Sequence, residues 1–223
     1  MRILDISRPL RRGTDIVCRI PDELPVYEGH ACEEYGFEFR SHVGCYYETS
    51  AHLFRGGTMT SGVPVEQFFM PALVARLDGR RSGVIEPDEI AASLGKGLRK
   101  GDALIVDTAG AEERHFSRPC GTWMAEEGVA LLAATLRRYD TGFVDPTGIF
   151  VELFQAEIPI LAEVTRVDEI AHERVVLIVL PMAIEGVCTA PCRAVVLDGE
   201  PEEVDRIART LRPELAEGAL SSG

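Results

Sequence analysis

Ser41-His42-Val43-Gly44-Cys45-Tyr46-Tyr47-Glu48-Thr49-Ser50-Ala51-His52 is the densest polar stretch of the 223-residue chain. Two of its five histidines, a carboxylate, two tyrosines and a cysteine fall between residues 42 and 52. If the first half is a strand, residues 42, 44, 46 and 48 share a face, because side chains alternate. His42, Tyr46 and Glu48 then line up, and a turn near Thr49-Ser50 returns His52 to them. Imidazole, carboxylate and phenol brought together are the groups of acid–base catalysis and of metal ligation. A polar strand edge with a solvated histidine is the competing reading.

Outward from this stretch, short β-rich runs recur at Ile3-Leu4-Asp5-Ile6, Gly36 to Phe39, Ala72 to Leu77, Ala103 to Val106, Val175 to Leu180 and Arg193 to Leu197. Each is bounded by Gly, Pro, Asp or Arg, as strands usually are. Pro87-Asp88-Glu89-Ile90 opens a helix, with proline first and acids facing the positive end of its dipole. Its apolar positions are Ile90, Leu94 and Leu98. A second helix is expected over Thr122 to Glu127, capped by Thr122 and ended by Gly128. A third is expected over Glu202 to Leu211, with Val204, Ile207 and Leu211 as its stripe. Strands with interspersed helices predict an α/β fold with a mixed central sheet in a single domain.

The composition narrows the function. Thirty-six acidic against 23 basic residues leave a net charge of −13. Affinity for nucleic acid rests on clustered Lys and Arg, so no nucleic-acid partner is expected, and no anionic membrane surface either. The longest apolar run, Val175 to Ala183, is about half of what a membrane span needs. The opening Met1-Arg2-Ile3-Leu4-Asp5 lacks an apolar signal region. A cytoplasmic protein is expected, with Cys18, Cys32, Cys45, Cys120, Cys188 and Cys192 as reduced thiols. Cys188 and Cys192, four apart, match neither a redox pair nor a zinc ribbon.

The stretch around His42 resembles the signature His-x-Gly-Thr-His-x-Asp-x-Pro-x-His of the cyclase family that includes bacterial kynurenine formamidases, isatin hydrolases and aromatic polyketide cyclases. His42, Gly44 and His52 match it. Glu48 stands for the Asp, Cys45 for the Thr, Tyr46 for the central His and Ser50 for the Pro. Further similarity lies in Arg2 to Leu10, in Leu98 to Ile105 with its Gly101-Asp102, in Trp123 to Val129, and in Leu180 to Ile184 with Pro191 to Ala194. It runs from about residue 2 to residue 197. The resemblance implies a swivelling β/β/α fold over a cyclase-like domain, 1–199, followed by an acidic C-terminal helix and tail, 200–223. It also implies a homodimer or homotetramer acting on a small-molecule substrate.

In that family, metal ions are held by the first two His and the Asp of the signature, and by a later His and a Glu twelve residues beyond it. Aligning Leu153-Phe154 and Ile160-Leu161 puts Phe150 at the later His and Ala162 at the Glu. Of five ligand positions, His42 is kept, Asp becomes Glu48, and Tyr46, Phe150 and Ala162 fill the rest. Phenyl and methyl groups ligate nothing, and Tyr is a poor ligand until it ionises near pH 10. Two surviving ligands fall short of the three of a catalytic zinc. The expectation is therefore no metal cofactor, with zinc or manganese held only if Glu152 or Glu163 is recruited.

The function expected on these grounds is a metal-independent cyclase, dehydratase or isomerase working by general acid–base chemistry on a carbonyl-rich, polyketide-like or aromatic small molecule. His52, at the position of the family's catalytic His, is the expected base; Glu48 orients it, and Tyr46 donates to a developing enolate. His42, Cys45, Tyr47 and Phe150 are the expected substrate-binding residues. A metal-dependent amidohydrolase and a non-catalytic binding protein or partner subunit are the alternatives. His115 is expected on a surface loop, His30 and His172 in solvent, and Gly95-Lys96-Gly97 lacks the context of a phosphate loop.

Overall fold

A computed structural model describes residues 1–20, 26–31, 34–95, 97–136, 138–140 and 148–213. Cys32, Lys96 and the tail beyond Pro213 lie outside them. Eight strands form the main sheet: β1 (Arg2–Asp5), β2 (Tyr46–Glu48), β3 (Phe69–Arg76), β4 (Ala103–Asp107), β5 (Leu131–Ala134), β6 (Ile160–Ala162), β7 (Arg174–Pro181) and β8 (Thr189–Asp198). Their order is β1-β8-β7-β3-β4-β5-β6-β2, and β2 pairs again with β8. Seven strands thus close into a barrel, with β1 on the outer part of β8. The pairings β3–β4–β5–β6 are parallel and the others antiparallel, so the mixed sheet expected from the sequence is present.

Closure divides the apolar residues by parity, since alternate side chains point to opposite faces. Ala72, Val74, Ala103, Ile105, Leu131, Ala133, Leu161, Val175 and Leu177 fill the barrel. Leu73, Leu104, Val106, Leu132, Ala134 and Ile160 face outward onto helices. Both faces are covered, so β4 and β5 are buried at every position and carry no polar alternation.

The helices are α1 (Pro87–Leu94), α2 (Arg118–Glu127), α3 (Ile149–Gln155) and α4 (Pro201–Leu211). α1 begins with the expected proline and acids but ends at Gly95, φ +57°, so Leu98 packs from beyond the helix. α2 begins four residues before the expected Thr122: Ser117 takes the N-cap position, and Pro119, lacking an N–H, fits the first turn. Its C-terminal Gly128 is left-handed, φ +71°, where a Cβ would meet Lys100 Cγ at 2.7 Å. α4 packs Val204 and Ala208 against Val176 on the outside of β7.

The Gly101-Asp102 motif anchors the wall. Asp102 accepts two hydrogen bonds from Arg174, Nη1 to Oδ1 at 3.0 Å and Nη2 to Oδ2 at 2.8 Å, and one from the Arg99 amide at 2.8 Å. Both side chains are buried, so each charge relies on the other.

Candidate active site and metal centre

Residues 41–45 are not strand, as the face-sharing argument assumed, but a run of bends. Gly44 makes it: φ is +65°, and a Cβ there would lie 2.5 Å from Leu10 Cδ2 and 3.2 Å from the Arg8 carbonyl oxygen. β2 then alternates Tyr46 and Glu48 outward with Tyr47 inward. A single 3-10 turn, Ser50–His52, follows: the His52 amide donates to Thr49 O at 3.0 Å, carrying His52 back over Glu48.

The convergence expected from the sequence results. Glu48, 3% exposed, turns Oε1 to His42 Nε2 at 2.7 Å and His52 Nδ1 at 3.0 Å. Thr189 Oγ1, from β8, donates to the same oxygen at 2.9 Å. The two imidazole rings are 5.1 Å apart, and Tyr46 packs edge-on to His42, also at 5.1 Å. Both histidines are about one-third exposed or more, so the group opens to solvent above a buried carboxylate.

The electrostatics follow from that burial. The hydrogen bond to Glu48 raises the His42 pKa above its usual 6.5, outweighing the opposing desolvation. Burial raises the Tyr46 phenol well above its usual 10, and the charges of Glu48 and Glu163 add to it. With no ion beside it, Tyr46 is therefore a neutral O–H.

Of the other expected site residues, Phe150 sits on α3 in a column of rings. It stacks with Tyr139 at 6.1 Å and with Phe154 at 5.9 Å, and Phe154 meets His52 edge-on at 6.4 Å. Cys45 and Tyr47 are not brought into the group. Both point into the barrel, Cys45 beside Cys192 (Sγ to Sγ 3.7 Å) and Tyr47 against Phe68. Tyr47 also lines a separate cavity of about 330 Å3 with Thr49, Ser50, Gln67, Met70 and Glu157. Odd and even positions of β2 necessarily part in this way. His115 pairs with Val84 in a two-residue ladder rather than lying on a loop, and His172 is bonded to Asp198 at 2.7 Å.

Among the described residues, His42, Glu48 and His52 offer ligand atoms that all lie within 4.8 Å of one another. The ligand count is thus three rather than the two read from the sequence, because the turn at Ser50 presents Nδ1 of His52. Tetrahedral zinc with N and O ligands needs edges of about 3.3 Å, so the observed 2.7 and 3.0 Å require an opening of a few tenths of an ångström. Ser41 Oγ, 3.0 Å from His42 Nδ1, is placed to accept its proton once Nε2 is engaged, the usual support for a ligating His. The donor set fits a divalent ion. Glu152 and Glu163 take no part, being paired with Arg118 at 2.6 Å and with Arg8 respectively. Sequence reasoning also missed Cys188, whose Sγ lies 3.9 Å from His52 Nδ1.

Among the described residues no helix is long and apolar enough to cross a membrane. No curated protein matches the chain. Among solved structures, isatin hydrolase A from Labrenzia aggregata, bound to benzyl benzoate, is similar at 18% identity and a TM-score of 0.74, over 89% of this chain and 94% of that one. Isatin hydrolase A from Ralstonia solanacearum gives 15% and 0.71, over 89% and 92%. A structure described as a potential metal-dependent hydrolase with cyclase activity gives 15% and 0.70, over 90% and 99%. At such identities the likeness shows a shared fold. The family model described as "Putative cyclase" matches residues 4–141, more than half of the chain. The chain belongs to the cyclase family.

Proposed function

We propose that this chain is an enzyme that activates a carbonyl group of a small aromatic or polyketide-like molecule, with a divalent ion held by His42, Glu48 and His52. One observation carries this reading: three ligand atoms of the right kinds gathered within 4.8 Å, two on half-exposed rings and one on a buried carboxylate. Such an ion supplies Lewis-acid polarisation of a carbonyl oxygen. The protein's own groups do the rest. Before an ion enters, Glu48, fixed by Thr189, holds both imidazoles in place through the nitrogens that would ligate it. The neutral phenol of Tyr46, beside His42, donates a hydrogen bond to the oxygen on which charge develops. The partly exposed ring of Phe150, backed by the buried Phe154 that meets His52 edge-on, gives an apolar surface near the histidines that suits an aromatic substrate. Hydrolysis of an amide-type carbonyl is the reaction this arrangement supports. Elemental analysis of protein purified without added metal should find near-stoichiometric zinc or manganese. Metal-free protein that also takes up neither ion on titration overturns the reading.

A specific observation favours a second, metal-independent reading. With Nδ1 turned to Glu48 at 3.0 Å, His52 has the carboxylate-oriented geometry of a general base, with Nε2 left for substrate. A placed base contributes about 10²–10⁴-fold, which suits cyclisation, dehydration or isomerisation at an already acidic C–H. Turnover that persists in excess chelator and is abolished by His52→Gln is its signature.

A further inference from the structure

The metal reading leaves the centre with three protein donors, two nitrogens and one oxygen. Resting on that reading, we infer that Cys188 is a fourth donor, so that the thiolate takes over a coordination position that Tyr46, Phe150 and Ala162 no longer serve.

Placement carries the inference. Residue 188 immediately precedes β8 and is tied to the segment that joins Glu48 to His52. Its carbonyl oxygen accepts hydrogen bonds from the Thr49 amide at 2.9 Å and from Thr49 Oγ1 at 3.0 Å. The side chain is half-exposed, and its Sγ lies 3.9 Å from His52 Nδ1, the ring nitrogen turned to Glu48. A thiolate and an imidazole on one tetrahedral zinc are about 3.5 Å apart, so Sγ is close to ligand spacing from His52; it lies outside the group of atoms within 4.8 Å that His42, Glu48 and His52 form, and ligation draws the Cys188 side chain inward from an anchored backbone. The Thr189 hydroxyl lies between the two side chains, 3.6 Å from Sγ and 2.9 Å from Glu48 Oε1, and its one proton goes to the nearer carboxylate.

The other described thiols lie elsewhere. Cys45 and Cys192 pair inside the barrel, Cys120 donates to the Ile85 carbonyl oxygen at 3.1 Å, and Cys18 belongs to a short outlying ladder. Charge is consistent too: the Glu48 carboxylate and one thiolate balance a divalent cation. A donor set of two imidazoles, one carboxylate and one thiolate is softer than an all-nitrogen and oxygen set, and selects zinc or cobalt over manganese or magnesium. Ligation releases the thiol proton to solvent as the S–metal bond forms.

Cobalt(II) titration of the full chain, stripped with chelator, tests this by spectrum rather than by turnover. The expected result is a near-ultraviolet sulfur-to-cobalt charge-transfer band that saturates with the bound ion and is absent from Cys188→Ser. That variant should also bind zinc about tenfold more weakly or worse. In the wild type, bound zinc should protect Cys188 from iodoacetamide, mapped by peptide mass spectrometry, which requires no variant to fold. Cobalt bound without the band, or zinc affinity and Cys188 alkylation unaffected, overturns the thiolate ligand while leaving a three-donor centre standing. Failure of the wild type to bind either ion overturns both.

Discussion

Tyr46 and Ala162 face each other across the β2–β6 ladder as direct register partners. Opposed residues of an antiparallel pair project to one face, here the face that Glu48 also occupies on β2. The double variant Tyr46→His/Ala162→Glu should therefore add two donors beside Glu48 and tighten zinc binding by about tenfold or more, a gain of about 1.4 kcal/mol. Competition with a chromogenic chelator measures it; unchanged affinity would show that the two positions do not converge.

Glu48→Gln keeps the side-chain shape and removes the charge that holds the His42 proton. In metal-free protein the His42 pKa, followed by NMR, should fall from its raised position toward 6.5 or below, since the desolvation that opposes the bond would remain. A value that stays raised would mean that another group holds that proton.

Asp102→Ala leaves the Arg174 guanidinium buried without its partner. Losing one member of such a pair costs about 3–5 kcal/mol, or a fall in Tm on the order of 10 °C. Thermal unfolding by circular dichroism measures it. The paired replacement Asp102→Leu/Arg174→Met should recover most of the loss, which a role limited to solvent contacts would not allow.

The His172–Asp198 contact makes stability depend on pH. His172 is raised above 6.5, first by its hydrogen bond to Asp198, against desolvation, and then by the charges of Asp198 and Glu200. Burial acts to raise Asp198, but bonds from the Ala171 amide and from His172 outweigh it and hold the carboxyl below its usual 3.8. A histidine with a raised folded-state pKa stabilises fully below 6.5 and loses that contribution as pH rises through the raised value. The lowered carboxyl stabilises above 3.8 and loses its contribution as pH falls through the lowered value. Urea unfolding should therefore show a stability increment between about pH 4 and 6.5 that fades on the alkaline side and is missing from His172→Gln. A difference between the two proteins that does not shrink as pH rises above 6.5 would refute the linkage.

The parts legible in the sequence were those with local causes. Pro87 with its two acids marks α1, and the stripe of Val204, Ile207 and Leu211 marks α4. The start of α2 was readable as well, since Pro119 in the first turn is a better signal than Thr122. Leu131-Leu132-Ala133-Ala134 shows no strand periodicity because both of its faces are buried, and the aromatic and β-branched run Ile149 to Gln155 reads as strand as readily as helix. In the site, His42, Glu48 and His52 were found because they lie within eleven residues of one another. Cys188 was not, because the pairing of β8 with β2 brings it to His52 from 136 residues away. The same parity that put Tyr46 and Glu48 together sent Cys45 and Tyr47 to the barrel interior.

β2 is only three residues long, yet hydrogen-bonded neighbours hold it on both edges, β6 on one and β8 on the other. Sliding it by one residue would turn Glu48 into the apolar interior and Tyr47 out among the histidines, at the cost of burying a lone carboxylate. The Glu48 charge thereby guards the alignment of the strand that carries it. Substitutions at 46, 150 or 162 leave that guard in place, so the chain can exchange its reactive neighbours one at a time without losing their coordinates. Residue 48 has no such freedom: aspartate is the replacement for Glu48 that keeps both the charge and the alignment.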